Sequence, residues 1–265
     1  MATNDGHLSV EAGAAVKANV LEGHAYTSPV SSDAQVSTVL VTGATGNLGR
    51  AVVRAFEQHG ANTVLIGSRP ESLASAFGNE NARRAFAPAD LLDQAQVDSA
   101  VHIGIERFGR IDVLCNLAGG FRMGTPVHET KDEDWDFILG INVRTLINAV
   151  RAVVPHMITA GRGKIVNVGA YAALKGVAQM GAYCASKSAI VRITEAMAAE
   201  LREKNINVNC VLPTIIDTPE NRAAMPKADP ARWVAPDDLA NVLVFLASEG
   251  ARAIHGAAIP VTGLS

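Results

Sequence analysis

Residues 36–50 read VSTVLVTGATGNLGR, and the order of events within them decides the fold. A β-branched apolar run of the kind that fills a strand, VSTVLVT, passes directly into a glycine loop. The loop opens at once into a helical pattern, AVVRAFEQHG. Gly43, Gly46 and Gly49 are spaced so that the backbone approaches a pyrophosphate and the helix packs close to the strand. Thr45, Asn47 and Leu48 complete the loop at the helix N-terminus, where free N–H groups and the helix dipole favour an anion. Glycines alone would do for a tight turn; strand, glycine loop and helix in succession point to a bound dinucleotide. Asn47 stands where many loops of this kind carry glycine.

Further along, short β-branched runs alternate with longer amphipathic patterns. The runs are NTVLIGS, ARRAFAPAD, IDVLCNLAG, GKIVNVGA, INVNCVLP and AAIPVTG. Between them lie ESLASAFG, QAQVDSAVHIGIERFG, the long DEDWDFILGINVRTLINAVRAVVPHMITAG, CASKSAIVRITEAMAAELREKN and APDDLANVLVFLASEGARA. Buried runs separated by crossover helices predict an α/β chain, a Rossmann doubly wound parallel sheet with helices on both faces in a single domain over residues 36–265. Ligands of such sheets bind at the carboxyl ends of the strands. Residues 1–35 mix a weak helical pattern with turn-rich sequence and read as a flexible extension.

Composition narrows the function. The chain of 265 residues is 48% hydrophobic and 18% charged, enough for a substantial core. Its net charge of −3 carries no Lys/Arg block, which argues against nucleic acid or an anionic membrane as partner. Cys115, Cys184 and Cys210 lack CxxC spacing, which fits a reducing compartment. No basic, apolar secretory leader opens the sequence and no run approaches the ~18 apolar residues of a membrane span, so a cytoplasmic protein acting on a small molecule is expected. His24, His128 and His255 are not spaced as metal ligands, and no metal is expected.

The second run ends in GSRPE. An acidic residue there would hold the adenosine ribose hydroxyls, whereas a cation accommodates a 2′-phosphate. Ser68 and Arg69 are present, so NADP(H) is expected over NAD(H), with NAD(H) as the alternative. Asp90 ends the third run beside Leu91 and is placed to accept from the adenine amino group, or to cap the following helix.

Residues 169–187, GAYAALKGVAQMGAYCASK, carry the chemistry. Tyr183 and Lys187, four apart, share one face of a helix, where an ammonium lowers the pKa of a phenol. YxxxK also occurs by chance on many helices, so the pair gains meaning only from its place after the glycine loop.

Taken together, TGATGNLG, ADL, NLAGG, DEDWDFILGINV, YCASK and HGAAIPVTG resemble the short-chain dehydrogenase/reductase family over residues 36–265. The resemblance implies a seven-stranded Rossmann domain, a homodimer or homotetramer, that moves a hydride to or from nicotinamide. It maps the family's catalytic tyrosine and lysine onto Tyr183 and Lys187, the first as proton donor and the second as the charge that tunes it and holds the nicotinamide ribose. It maps onto Asn142 the asparagine that holds a water against that lysine. Asn116, Ala118 and Gly119 match a cofactor-side wall, and Pro213, Ile216 and Thr218 match the loop that holds the carboxamide. Thr214 replaces the family's usual glycine there.

One residue departs from the pattern. The family's serine stands thirteen before the tyrosine, and here that position is Ala170. A hydroxyl would clamp a ketone oxygen and share its developing charge, an effect worth about 2.7–4 kcal/mol. Tyr171, Ser186 or Ser188 replaces it, or the protein is a nucleotide-binding sensor without catalysis, or the substrate is not a simple ketone. VGAYAALKGVAQMGAYCASKSAI, LCNLAGGF and VLPTIIDTPENRAAMPKADPARW resemble the dihydropteridine reductase branch, which also has alanine there. That likeness implies a conjugated imine or quinonoid substrate, which needs hydride and a proton more than an oxyanion clamp. An aldehyde or ketone reductase of the 3-oxoacyl type, or an alcohol dehydrogenase, is the alternative. Substrate choice is expected in the irregular loop 214–236, through Asn221, Arg222, Met225 and Trp233, and across from it at Phe121, Arg122 and Met123.

Overall fold

In the computed structural model, which describes residues 37–265, the seven expected runs pair into one parallel sheet. The strands are β1 (Thr38–Thr42), β2 (Asn62–Ile66), β3 (Arg84–Phe86), β4 (Val113–Asn116), β5 (Gly163–Val168), β6 (Ile206–Pro213) and β7 (Ala258–Val261), in the order β3-β2-β1-β4-β5-β6-β7. The extension read at 1–35 lies outside the described residues. The helices are α1 (Asn47–Gln58), α2 (Pro70–Phe77), α3 (Gln94–Phe108), α4 (Asp132–Leu139), α5 (Thr145–Ala160), α6 (Gly181–Leu201), α7 (Pro219–Ala224) and α8 (Pro236–Ala247).

The alternation along β1 shows why the runs are apolar throughout. Val39 and Val41 enter the core on one face and Leu40 on the other, and all three are fully buried. α1 and α8 close the first face through Val52, Val53, Leu239 and Leu243. α3, α5 and α6 close the second through Val97, Val101, Val153, Met157 and Met197. Each such apolar side chain removed from water contributes about 1.5–3 kcal/mol, while the buried strand asparagines Asn116, Asn167, Asn207 and Asn209 are admitted with hydrogen-bond partners. The strand order reverses between β1 and β4, where Thr42 lies opposite Asn116, and this opens the crevice in which ligands of doubly wound sheets bind.

Three local features differ from the sequence reading. The helix expected as one piece from Asp132 is interrupted by a π-helical turn, Gly140–Arg144, which turns Asn142 inward until it is 1% exposed. Asp132–Ala160 is also long and apolar enough by composition to cross a membrane, but Ile138, Leu146, Ala149, Val153 and Met157 are buried within the domain. Within 214–236, read as irregular, α7 forms because Thr218 caps it, accepting from the Asn221 N–H at 3.2 Å, and Pro219 fits its first turn. Finally, Asp93 rather than Asp90 caps α3, accepting from the Ala95 and Gln96 N–H groups.

Candidate active site

The glycine loop is built by close approach. Gly43 has φ +63, and a Cβ there would lie 2.9 Å from the backbone of Ala118. A Cβ on Gly49 would lie 2.4 Å from the Gly43 carbonyl oxygen, so α1 sits directly on the loop. Gly46 is less constrained, its nearest neighbour being 3.4 Å away. Thr42 Oγ1 accepts from the N–H groups of Leu117 (3.1 Å) and Ala118 (3.2 Å), locking the end of β1 to the segment of Asn116, Ala118 and Gly119. The cap of α1 is Gly46 with no side-chain bond, so its first-turn N–H groups face outward without a side-chain partner. A pyrophosphate fits this cradle, with Thr45, Leu48 and Gly49 around it. Asn47 points elsewhere: its Nδ2 donates to Glu220 Oε2 at 2.7 Å.

Beyond β2, Ser68 and Arg69 are exposed at the strand's carboxyl end. Arg69 lines a groove of about 470 Å³ with Thr45, Arg50, Glu71, Ser72 and Ser75. Arg50 was missed in the sequence, although it directly follows Gly49; its Nε donates to the Thr45 carbonyl at 3.0 Å. Asp90 is exposed and turns its own loop, Oδ1 accepting from the Leu92 N–H at 2.9 Å, while the Leu91 carbonyl accepts from Asn148 Nδ2 at 2.9 Å.

At the centre, α6 presents Tyr183 and Lys187 one turn apart. Lys187 is 6% exposed, and its Nζ donates to the Val168 carbonyl at 3.1 Å and lies 5.9 Å from the Tyr183 ring centre. The expected lowering of the phenol by the lysine is not what the geometry gives. Burial, with a smaller contribution from Cys184, pushes Tyr183 up to about 12. Burial pushes Lys187 down to about 8, opposed only weakly by Cys210. A phenol so placed is protonated at neutral pH and has a proton to give. A dinucleotide in the crevice would change the solvation of both groups.

Asn142 is fixed in place by its side-chain amide. Its Nδ2 donates to the Gly120 carbonyl (3.1 Å) and to Ser186 Oγ (3.0 Å), and its Oδ1 accepts from the Gly120 N–H (2.9 Å). With both amide hydrogens engaged, the side chain joins the segment after β4 to α6. Gly119 makes this junction feasible, since a Cβ there would lie 2.8 Å from Asn142 Oδ1 and 3.3 Å from Lys187 Nζ. Asn116 serves the sheet, its Nδ2 donating to Asn167 Oδ1 at 2.9 Å and Asn167 in turn to Thr194 at 2.9 Å.

Of the three hydroxyls named as replacements for the absent serine, those of Ser186 and Ser188 are engaged elsewhere. Ala170 is 6% exposed at the end of β5. Ser186 Oγ donates to the Tyr183 carbonyl at 2.8 Å and accepts from Asn142; Ser188 Oγ donates to the Ala173 carbonyl at 2.8 Å. Tyr171 is 42% exposed at the start of the turn that follows. The Phe121 ring meets Tyr183 edge-on at 4.8 Å, and Met123, Val127, Leu174 and Val177 are exposed on the loops after β4 and β5, together with Arg122, Lys175 and Gln179.

The cations expected at the substrate are already paired. Arg222 makes two bonds to Asp217, at 2.6 and 2.7 Å, and Arg122 pairs with Asp134 while lying 3.9 Å above the Phe137 ring. Trp233 is 7% exposed, a core residue rather than a contact, while Met225 is half-buried at the end of α7. Pro213 ends β6, Ile216 bridges to Val234, and Thr218 is engaged as the α7 cap. Thr214, in place of glycine, donates to the Thr262 carbonyl at 3.0 Å, fastening this loop to the end of β7.

Comparison with known proteins bears on this arrangement. Residues 37–229 match the family described as short chain dehydrogenase. The D-threitol dehydrogenase of Mycolicibacterium smegmatis is 35% identical over 237 residues, 84% of this chain and 90% of that protein. Among solved structures, an NAD+-bound xylitol dehydrogenase superposes with TM-score 0.78 at 28% identity, covering 86% of this chain and 98% of that one. ElxO with NADP bound superposes with TM-score 0.79 at 25% identity, covering 86% and 98%. With its glycine cradle at the β1–β4 crevice and a tyrosine–lysine pair facing it, the chain belongs to the short-chain dehydrogenase family of nicotinamide-dependent oxidoreductases.

Proposed function

We propose that the protein is an NADPH-dependent reductase that delivers hydride to a small, uncharged conjugated imine or quinonoid, in the manner of dihydropteridine reductase. Ala170 carries this reading: it leaves the position thirteen before the proton-donating tyrosine without a hydroxyl, and the Ser186 and Ser188 hydroxyls are engaged elsewhere. A substrate whose own conjugation draws off charge has no need of that clamp. The exposed apolar side chains of Phe121, Met123, Val127, Leu174 and Val177, and the pairing of Arg222 and Arg122 with carboxylates, support a neutral substrate over an anionic one. The nicotinamide supplies the hydride when bound. Tyr183 gives the proton, Lys187 holds the ribose and supplies positive charge beside the phenol, and Asn142 positions α6 against the segment after β4.

For the cofactor, Arg50 and Arg69 at one groove, with Ser68 where a carboxylate would select NADH, support NADPH, although Glu71 lines the same groove. Gly43, Thr45, Leu48 and Gly49 would take the pyrophosphate, Asp90 and Leu91 the adenine, and Asn116, Ala118, Gly119, Pro213, Ile216 and Thr218 the nicotinamide side. A second reading, a ketone reductase or alcohol dehydrogenase, has support from the named threitol and xylitol dehydrogenases. Oxidation of NADPH against quinonoid dihydropterin and a panel of ketones, aldehydes and quinones separates the two. Turnover of the pterin, lost by about 10²–10⁴-fold in Tyr183→Phe, is the expected outcome; turnover of simple ketones alone would sink the proposal. Exposed Phe137, Leu139 and Ile158 on α4 and α5, with Phe245 and Leu264 elsewhere, support a homodimer or homotetramer, which sedimentation tests. Three free, buried cysteines support the cytoplasm as its compartment.

A further inference from the structure

The one loop residue that departs from glycine spacing has a partner 173 residues away. Asn47 opens α1 at the centre of the phosphate loop, and Glu220 is the second residue of α7 on the substrate side. Their 2.7 Å bond joins two exposed side chains, so no apolar burial forces it. Among the described residues α7 buries no side chain of its own. Its other side-chain bonds return to its own segment: Asn221 Nδ2 donates to the Ile216 carbonyl, Thr218 Oγ1 accepts from the Asn221 N–H, Arg222 pairs with Asp217, and the Glu220 carboxylate is also held by its own N–H and by Thr218. Among the described residues, the Asn47–Glu220 bond is the side-chain hydrogen bond that ties this helix to the cofactor loop. Glu220 meets the side chain of Asn47 and not the main-chain N–H groups of α1, which stay available to a pyrophosphate.

We propose that Asn47 and Glu220 form a clasp that holds α7 as a lid across the phosphate loop and closes again over bound cofactor. Cofactor then enters and leaves only while the clasp is open, so the clasp sets both rates and leaves the affinity nearly unchanged. The proposal rests on the dinucleotide reading of the loop, and it extends that reading by giving Asn47 a positioning role in place of a ligand's.

Stopped-flow fluorescence of NADPH and NADH binding to the full chain tests it. Asn47→Gly and Glu220→Ala should each raise the association and dissociation rates about ten-fold, the loss of one charge-assisted hydrogen bond, with Kd within about two-fold. The double variant should be no faster than either single one, because the second change finds the clasp already open. Glu220→Gln keeps an acceptor and should stay near the unsubstituted rates. A second readout needs no cofactor: amide hydrogen exchange at residues 219–224 should rise by a similar factor in Asn47→Gly, which leaves the Glu220 and Thr218 bonds within α7 intact, while exchange in β1 and β4 is unchanged. Unaltered exchange at 219–224, additive rate changes, or a Glu220→Gln variant that binds tighter and as fast as Glu220→Ala would overturn the clasp. The last result would make charge repulsion the cause.

Discussion

Lys187 Nζ lies 5.9 Å from the centre of the Tyr183 ring, and burial drives the two groups in opposite directions, the phenol up to about 12 and the ammonium down to about 8. The lysine's charge is thus held where the fold by itself gives it no counter-charge. Its folded pKa lies below its ordinary 10.5, so its penalty on stability is full below pH 8, shrinks as pH rises from 8 to 10.5, and is gone above that. Lys187→Met should stabilise the cofactor-free protein by about 2 kcal/mol at pH 7, a rise in Tm of about 4–8 °C. The gain should be much smaller at pH 10, and turnover should be lost throughout. Thermal unfolding at the two pH values checks this; destabilisation at pH 7 would show that the Val168 bond outweighs the buried charge.

Gly119 is a point where an added carbon would reach the catalytic lysine. A methyl group there meets Asn142 Oδ1 at 2.8 Å and Lys187 Nζ at 3.3 Å. Gly119→Ala should cost about 1–3 kcal/mol by overpacking. It should also lower kcat by about ten-fold or more through displacement of the lysine, as expected when reacting groups shift. Chemical denaturation and steady-state kinetics read the two effects separately.

Ala170→Ser would return the hydroxyl at the end of β5. If a simple ketone is reduced sluggishly for want of a clamp, its kcat/KM should rise by about 10²-fold, while a conjugated imine should gain less than about three-fold. Equal gains for both substrate types would argue that the alanine has no bearing on substrate class.

Arg69→Asp should raise KM for NADPH by about 10–100-fold and lower or spare that for NADH, since a carboxylate favours the ribose hydroxyls and repels a 2′-phosphate. Arg50→Ala should weaken NADPH alone. Unsubstituted protein that prefers NADH would reverse the cofactor assignment before any variant is made.

The sheet was legible because each strand is a bounded apolar run, and the glycine loop because its order of elements admits few other structures. α7 was announced by Thr218 and Pro219, a cap and a first-turn proline, but six residues inside a loop give no periodicity to read. The π turn at Gly140–Arg144 was hidden for a similar reason: five residues are too short a window for a change of helical phase to show. The site was half legible. Tyr183 and Lys187 share a helix, so spacing alone aligns them. The partners that fix a side chain lie across the fold or depend on the local turn: Glu220 for Asn47, Gly120 and Ser186 for Asn142, Asp217 for Arg222. Trp233 failed as a contact because it is buried, with Gly263 packed against its backbone.

The π turn carries a consequence for how this helix pair tolerates change in length. An added residue advances every later side chain by about 100° around the axis, so α4 and α5 are out of phase by more than a quarter of a revolution. That offset lets α4 face α6 with Ile138 while α5 faces the sheet with Ala149, Val153 and Met157, and it leaves Asn142 at the seam between the two phases. Loss of a single residue from the turn would bring the halves into phase and swing the asparagine toward solvent. The junction between the post-β4 segment and the catalytic helix is thus set by a count of residues, and is more sensitive to deletion than to substitution.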